Sequence, residues 1–345
     1  MFGWLNRKPG TLAIEQGGLR LLQPFALVPR ETVLDAALRA GIDFPFSCKV
    51  GGCATCKCQL LSGKVRELTD KAYLLSKEEM QQGMILGCQS IPLDDVCVRL
   101  PEPPRHIGGT LVRQTRLTHD ISEVFVQLEQ PLHYRPGQYS LLRPASHALP
   151  ARCYSFAHAC PPQGTCELSF FVRALPEGRL SRWLVEDRAL QQRVELSPSL
   201  GDFHLRPGHQ PLLCIAGGSG LAPLIALLEG MLAEGAASRD VHLLMGARSQ
   251  ADLFYLEQIE TLRQRWGGRF AFVPVLSEEP AGSDWQGLRG WVSEAITADC
   301  ASHAQGYLCG PPAMIDRCIS RMTALGMPAD AIFFDRFSDQ STSTP

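Results

Sequence analysis

The chain has 345 residues, of which 45% are hydrophobic and 20% are charged, and its formal net charge is −2. This length is too great for one hydrophobic core and predicts two or three domains. The near-neutral charge argues against nucleic acid or an anionic membrane as a partner. The 13 cysteines accompany no secretion signal, so they indicate a reducing cytoplasm rather than a disulfide framework. No window of 18 uninterrupted apolar residues occurs, so we expect a cytoplasmic protein that does not span a membrane.

The N-terminal segment predicts two short strands followed by a helix. The strands are expected over Thr11–Ile14 and Gly18–Leu22. Thr32 stands three residues before Asp35, a spacing typical of a helix N-terminus, and Gly41 marks the end of the helix.

A cysteine array follows this helix. Three cysteines stand in a C-x4-C-x2-C pattern and a fourth follows after 31 residues: Cys48, Cys53, Cys56 and Cys88. Four thiolates at this spacing are typical of a plant-type 2Fe-2S cluster. The alternative is tetrahedral zinc, although zinc motifs usually present two close C-x2-C pairs. Cys58 and Cys97 lie outside the pattern and are expected to be small buried hydrophobic residues.

Beyond residue 100 the pattern of predicted secondary structure changes twice. Pro101–Arg105 is a stiff polar spacer, and the short alternating runs that follow, such as Thr110–Arg113 and Ser122–Leu128, predict an antiparallel barrel or sandwich. From Pro211, strands alternate with helices, which predicts a doubly wound parallel sheet. The five strands are expected over Leu212–Ala216, Val241–Met245, Phe270–Val275, Gly306–Cys309 and Ile332–Phe334.

Four short motifs are candidates for cofactor binding, and each is a weak signal alone. They are Arg152-Cys153-Tyr154-Ser155, Gly178-Arg179-Leu180-Ser181, Gly217-Gly218-Ser219-Gly220 and Leu308-Cys309-Gly310-Pro311-Pro312. The glycine run lies between a strand and a helix, where backbone N–H groups suit a nucleotide phosphate; a purely structural turn is the alternative. Cys309 ends a predicted strand beside this run.

Taken together, these motifs resemble known families. The first part is similar to the β-grasp fold of plant-type ferredoxins, and the remainder resembles the ferredoxin-NADP reductase superfamily. Their order is that of the single-chain reductases of bacterial oxygenases, such as benzoate dioxygenase reductase and the methane and phenol monooxygenase reductases. The resemblance implies a 2Fe-2S ferredoxin domain over 9–100, an FAD-binding β-barrel over 106–206 and an NAD(P)-binding domain over 210–337, with a disordered tail over 338–345.

The resemblance also assigns roles in flavin binding. Arg152 would neutralise the FAD pyrophosphate, Tyr154 would pack on the isoalloxazine ring, and Ser155 would hydrogen-bond near N5. Ser181, in the turn opened by Gly178, would receive the pyrophosphate from the other side. Phe337 would cover the flavin, with Phe334 as the alternative.

For the nucleotide, the resemblance implies that two groups of residues form the binding loops: Gly217, Gly218, Ser219 and Gly220, and Cys309, Gly310 and Pro311. Cys309 would position the hydride donor. Arg248 and Asp252 could touch the nucleotide or cap a helix. Glu278 would repel a 2′-phosphate and accept a hydrogen bond from a free 2′-hydroxyl, which favours NADH over NADPH.

The reaction implied is the passage of electrons from NADH through FAD and the 2Fe-2S cluster to a terminal oxygenase or other acceptor protein. Three alternatives stay open from the sequence. The acceptor could be a nucleotide-sugar dehydrase or a membrane desaturase, the cysteine cluster could serve a redox sensor, or the flavin could reduce ferric complexes directly.

Overall fold

The computed structural model describes residues 10–46, 49–52, 54–71, 74–101 and 106–337. They form two compact units, one within residues 1–104 and the other within 105–337. The predicted spacer lies largely outside the described residues, as does the predicted tail.

The first unit is built on a mixed sheet with one helix packed against it. Its elements are β1 (Thr11–Gln16), β2 (Leu19–Arg20), β3 (Phe25–Ala26), α1 (Val33–Arg39), β4 (Lys57–Ser62), β5 (Val65–Glu67), α2 (Lys77–Gln81), β6 (Met84–Leu86), β7 (Ser90–Pro92) and β8 (Val96–Arg99). The main sheet has the order β2-β1-β8-β4-β6, with β3 also paired to β1. The β1 and β8 strands are parallel, so the two ends of this unit lie side by side in its sheet.

Helix α1 begins where the sequence predicts. The Thr32 side chain accepts a hydrogen bond from the Asp35 N–H, satisfying one of the free donors of the first turn. Val33, Leu34 and Ala37 are buried in the core of the sheet. The second predicted strand is shorter than expected, because only Leu19–Arg20 pairs with β1 before the chain turns into the short strand β3.

The second unit begins with an antiparallel sheet. Its elements are β9 (Ile107–Arg116), β10 (Ile121–Leu132), β11 (Tyr139–Pro144), β12 (Arg152–Ser155), β13 (Thr165–Arg173), α3 (Arg179–Leu184) and β14 (Arg193–Leu196). The order β12-β11-β14-β9-β10-β13 is closed by a bridge between Phe156 and Phe170 at the two ends. This single bridge brings the two edges of the sheet together and gives a partly closed form of the predicted barrel.

The same unit continues into an all-parallel sheet. Its elements are β15 (Leu212–Gly217), α4 (Leu221–Ala233), β16 (Val241–Ala247), α5 (Leu256–Arg265), β17 (Phe270–Leu276), β18 (Leu288–Arg289), α6 (Ala298–Ala301), β19 (Gln305–Gly310), α7 (Pro312–Ala324) and β20 (Ile332–Arg336). The five predicted strands are present. The edge strand β18 was not predicted, because two residues are too few to show a strand pattern.

The strand order of this sheet, β18-β17-β16-β15-β19-β20, determines where a ligand can bind. From β15 the chain adds β16, β17 and β18 on one side. It then crosses back and adds β19 and β20 on the other side of β15. Ligands of such sheets bind at the carboxyl ends of the strands beside this reversal. The glycine run after β15 and the Cys309 motif at the end of β19 therefore come to one edge. These observations confirm the predicted fold class.

The Gly137 turn before β11 gives a test of the barrel. Gly137 has φ +95°, and a Cβ there would collide with the Phe203 carbonyl oxygen. Gly137→Ala should therefore destabilise the protein, because positive φ alone costs a non-glycine residue about 1–3 kcal/mol. We expect the apparent Tm, measured by circular dichroism, to fall by about 3 °C or more. The control is Gly282→Ala, since a Cβ at Gly282 has nothing within 4 Å. Equal Tm values for the two variants would contradict this account of the turn.

Candidate functional site

Two cysteines of the predicted cluster lie within the described residues. Cys56 and Cys88 are buried, with exposures of 3% and 5%. A hydrogen bond of 2.9 Å from the Gly87 N–H to the Cys56 carbonyl joins their two segments. The fold therefore brings the third and fourth cysteines of the array together, although they are far apart in sequence. Cys48 and Cys53 lie outside the described residues.

The loop around these cysteines has an irregular backbone. Lys49, Gly51 and Ala54 have φ values of 61°, 73° and 54°. The Gln89 side-chain amide donates to the carbonyls of Lys49 at 3.2 Å and Cys88 at 3.0 Å, and so ties the loop to the fourth cysteine. Alternation of left-handed and right-handed residues creates concave sets of N–H groups, which suit an anionic centre. The donor set and the loop geometry therefore fit an iron-sulfur cluster held by thiolates.

The two other cysteines of this unit differ from each other. Cys58 is fully buried in the core, as expected, and burial together with the nearby Cys88 raises the pKa of its thiol. Cys97 is only partly buried, which corrects the expectation, because it lies on β8 with its Sγ 3.9 Å from Glu15 Oε1. Burial and that carboxylate raise the pKa of Cys97. Neither environment favours the thiolate that a metal ligand requires.

The Arg152 motif forms β12, at one end of the barrel sheet. Ser155 is buried, and Tyr154 is half-buried and lies edge-on to Phe170 with 6.2 Å between ring centroids. Burial raises the pKa of Tyr154, so the phenol is neutral. Arg152 Nη1 donates to the neighbouring carbonyl of Ala151 at 2.8 Å. The strand thus presents a cation, an aromatic ring and a hydroxyl in succession.

The Gly178 motif forms the start of α3. The Ser181 hydroxyl donates to the Gly178 carbonyl at 3.2 Å and accepts from the Leu175 N–H at 3.3 Å. A Cβ at Gly178 would collide with this hydroxyl, which explains the glycine. Ser181 therefore stabilises the turn, while its role toward a phosphate stays a prediction.

A cleft of about 790 Å³ lies beside α3. Its lining includes Trp183 and the arginines Arg179, Arg182, Arg188 and Arg193. This volume is within the range of cofactor pockets, and guanidinium groups are well suited to phosphates. The cleft therefore has the size and the guanidinium groups that a phosphate-bearing cofactor requires. These arginines were not among the predicted site residues, although their concentration around Trp183 is visible in the sequence.

The glycine run packs backbone against backbone on the end of β19. A Cβ at Gly220 would collide with the Cys309 carbonyl oxygen, and a Cβ at Gly217 would lie 2.6 Å from Met314 Sδ. Gly310 has φ +152°, and a Cβ on it would lie 3.1 Å from the Gly217 Cα. The two nucleotide motifs therefore form one surface. Ser219 is half-buried and Pro311 is exposed at its margin.

Cys309 lies beneath this surface, and Phe337 lies beside it. Cys309 is fully buried, and burial raises the pKa of its thiol well above the usual value. It is therefore neutral and unsuited to nucleophilic attack. The Phe337 N–H donates to the Gly310 carbonyl at 2.9 Å. Phe337, whose ring is half-buried, therefore lies beside the surface formed by the two nucleotide motifs.

Arg173, at the end of β13, is a candidate that the sequence analysis missed. A Cβ at Gly218 would collide with its guanidinium group, so this barrel residue lies against the glycine run. Its Nε lies 3.3 Å from Asp120 Oδ2. Arg173 has no motif around it, and only the packing of the barrel on the parallel sheet brings it to the site.

Arg248 and Asp252 belong to the same charge network. Arg248 Nη2 lies 3.2 Å from Asp120 Oδ2 and 2.9 Å from Asp252 Oδ1. Although burial opposes ionisation, hydrogen bonds from Ser249 and Arg248 lower the pKa of Asp252. Asp252 caps the short turn that starts at Ser249, which agrees with the capping alternative for this residue.

Two acidic residues follow β17. Glu278 is exposed, and its N–H donates to the Arg248 carbonyl at 2.8 Å. Glu279 accepts hydrogen bonds from the backbone and side chain of Gln250, at 2.8 and 2.9 Å. Of the two carboxylates, Glu278 is therefore better placed to meet a ligand.

Within the described ranges, the structure contains no helix long and apolar enough to cross a membrane.

Three family models match successive parts of the chain. They are the 2Fe-2S iron-sulfur cluster binding domain over residues 23–93, the oxidoreductase FAD-binding domain over 108–205 and the oxidoreductase NAD-binding domain over 214–319. FAD and a 2Fe-2S cluster are therefore its cofactors, and its last part is an NAD(P)-binding domain.

Similar proteins have the same arrangement over nearly their whole length. The xylene/toluene monooxygenase electron transfer component of Pseudomonas putida is 41% identical over 318 residues, which are 90% of each chain. The reductase subunit of an aromatic O-demethylase from Amycolatopsis is 36% identical over 96% of this chain and 100% of its own. In the solved structures, an Amycolatopsis cytochrome P450 reductase matches with a TM-score of 0.67 and 34% identity, over 95% of this chain and 99% of its own.

These similarities confirm the predicted family, the enzyme class and the route of electrons from NAD(P)H through FAD and the 2Fe-2S cluster. The chain belongs to the family of single-chain oxygenase reductase components, in which a 2Fe-2S domain is fused to FAD-binding and NAD-binding oxidoreductase domains.

Proposed function

We propose that this reductase uses NADH in preference to NADPH and delivers electrons to an oxygenase that acts on aromatic compounds. The observation that carries the proposal is the single surface formed by the glycine run, the end of β19 and Arg173 of the barrel. A nucleotide bound there lies next to the barrel that binds FAD. The aromatic partner is inferred from the names of the two similar proteins that act in xylene/toluene oxygenation and aromatic O-demethylation.

When bound, FAD accepts a hydride from the nicotinamide and passes its two electrons singly to the 2Fe-2S cluster. The barrel residues hold it in place. Arg152 and the arginines of the α3 cleft supply positive charge for its phosphates, while Tyr154 offers a neutral aromatic face. Ser155, at the end of β12, supplies a hydroxyl toward the flavin ring. Phe337 covers the ring from the side of the nucleotide surface.

The nucleotide is bound by a backbone surface and a fixed cation. The N–H groups of Gly218, Ser219 and Gly220 lie at the start of α4, a helix of 13 residues whose N-terminus attracts phosphate. Arg173 adds a guanidinium that Asp120 holds in place. Cys309 is a neutral thiol that is fully buried, so it positions the nicotinamide by supporting the backbone at the end of β19.

The preference for NADH depends on the charges around the adenosine ribose. Glu278 presents an exposed carboxylate, which disfavours a 2′-phosphate by repulsion. Arg248 is the nearby cation that could favour NADPH. Asp120 and Asp252 both pair with Arg248, so two carboxylates beside it offset its positive charge.

The cluster ligands and a buried neighbour give a test of the electron path. Cys88→Ser should lose the visible absorbance and iron of the cluster and with them the NADH-dependent reduction of cytochrome c. Reduction of ferricyanide by the flavin should persist. Cys58→Ala is the matched control and should keep both activities, because Cys58 is a core residue. If Cys88→Ser still reduced cytochrome c, the flavin would be the donor to the acceptor and the proposed path would be wrong.

The nucleotide preference can be measured as the ratio of kcat/KM for NADH to that for NADPH. Glu278→Lys should lower this ratio about tenfold or more, since it replaces repulsion of the 2′-phosphate by attraction. Glu234→Lys makes the same charge change at the far end of α4 and should leave the ratio unchanged. A wild-type preference for NADPH would refute the role given to Glu278.

Arg173 can be tested by its effect on nucleotide affinity. A charge-assisted hydrogen bond contributes about 1.5–3 kcal/mol, so Arg173→Gln should raise the KM for NADH about tenfold or more. Arg173→Lys should recover part of the affinity. Arg265→Gln, at an exposed arginine on α5, is the control. An unchanged KM in Arg173→Gln would remove this residue from the phosphate site.

A further inference from the structure

We propose that His158 is a positioning residue that fixes the nucleotide loop relative to the flavin-binding strand, by joining Glu123 of the barrel to Glu229 of α4. This role rests on the proposed function, because it concerns the alignment of the hydride donor with the flavin. We refer to the three residues as the Glu-His-Glu clamp.

The contacts of the clamp use both nitrogens of the His158 ring. Nε2 lies 3.0 Å from Glu123 Oε1, and Nδ1 lies 3.0 Å from Glu229 Oε1. Glu229 Oε2 also accepts from the Ala159 N–H at 3.0 Å, so α4 is bound to this segment twice. Tyr134 Oη donates to the His158 carbonyl at 3.1 Å. Tyr255 Oη lies 3.3 Å from Nε2.

This geometry requires a protonated ring. Each ring nitrogen faces a carboxylate, and only the imidazolium form can donate from both. A neutral ring would direct a lone pair at one carboxylate, and Glu123 is only 6% exposed. Leaving that charge without a partner would be strongly unfavourable.

The position of the clamp connects the two binding regions of the unit. His158 is three residues beyond Ser155, the residue assigned to the flavin ring. Glu229 lies eight residues, about two turns, beyond Leu221 on the helix that the glycine run begins. A helix transmits displacement along its axis, so a shift at Glu229 moves the nucleotide loop.

The packing around the clamp provides no substitute for it. Pro136 of the barrel packs closely against Gly230 of α4. A Cβ at Gly230 would lie 2.9 Å from the Pro136 Cγ. Phe171 of β13 contacts Phe254 and Tyr255 through aromatic edges, with ring centroids 5.6 and 4.9 Å apart. These contacts are apolar and slide more easily than a hydrogen-bonded ion pair. Together with the Asp120–Arg248 ion pair near the nucleotide loop, the clamp therefore supplies directional contacts in this interface, and it is the one that holds α4.

The charge of the clamp depends on pH in a defined direction. Burial alone would lower the pKa of His158, but hydrogen bonds and attraction from Glu123 and Glu229 raise it from 6.5 to about 10. Tyr255, whose pKa is raised by burial and by the same two carboxylates, faces the ring as a neutral phenol. A raised folded-state pKa means that the stabilisation is complete below pH 6.5 and is lost as the pH rises toward 10.

The test compares His158→Gln with His147→Gln in the full-length holoprotein. His147 Nε2 also lies 2.9 Å from a carboxylate, that of Glu195, but both residues belong to the barrel. Anaerobic stopped-flow measurement of flavin reduction by NADH should show a rate about tenfold lower or more in His158→Gln, since small misplacements of reacting groups are costly. The Kd for NADH should change little. The wild-type and His147→Gln rates should fall as the pH rises toward 10, whereas the His158→Gln rate should be flat.

Hydrogen exchange provides a readout without turnover. At neutral pH and without NADH, His158→Gln should exchange faster than the wild type over residues 157–160 and α4, and His147→Gln should not. If His158→Gln does not fold, Glu229→Gln keeps a neutral hydrogen bond and should show the same changes more weakly. If His158→Gln kept the wild-type rate of flavin reduction and the wild-type rate of hydrogen exchange, the positioning role of His158 would be wrong. Failure of NADH to reduce the wild-type flavin would instead refute the proposed function, and the exchange result would still test the clamp.

Discussion

The close approach of two backbones at the end of the parallel sheet is the constraint on which the catalytic unit depends. Gly217 and Gly220 allow the loop after β15 to lie directly on the Cys309–Gly310 segment. A side chain at Gly220 would collide with the Cys309 carbonyl, and one at Gly217 with Pro311 and Met314, so either would disturb the surface proposed to bind the nucleotide. This contact brings together the start of α4, the Arg173 guanidinium and the buried Cys309 thiol.

Around that contact, charge is arranged so that arginines are held in place by carboxylates before any ligand arrives. Asp120 lies between Arg173 and Arg248, and Asp252 holds Arg248 from the other side. The cleft beside α3 follows the same pattern in part, because Arg188 pairs with Glu186 and Arg193 pairs with Glu129.

Much of this structure could be predicted from local sequence. The strand and helix pattern, the glycine run and the Cys309 motif are continuous segments whose chemistry is visible in their order, and the order of strands in such sheets follows general rules. The half-buried state of Cys97 could not be predicted, because it depends on a cross-strand neighbour, Glu15. Arg173 and His158 were also invisible, since each acquires its partners from a distant part of the chain. Residues without a motif become functional candidates only through tertiary packing.

The parallel pairing of β1 with β8 in the first unit has a consequence for biosynthesis. Leu12 pairs with Val96, so β1 lacks its inner neighbour, the central strand β8, until the ribosome has reached a residue 84 positions later. All four cluster cysteines have been synthesised by then, while the sheet that supports them is still incomplete. Contacts between distant segments form slowly. The order of synthesis therefore means that this sheet is completed only after all four cluster cysteines are present in the chain.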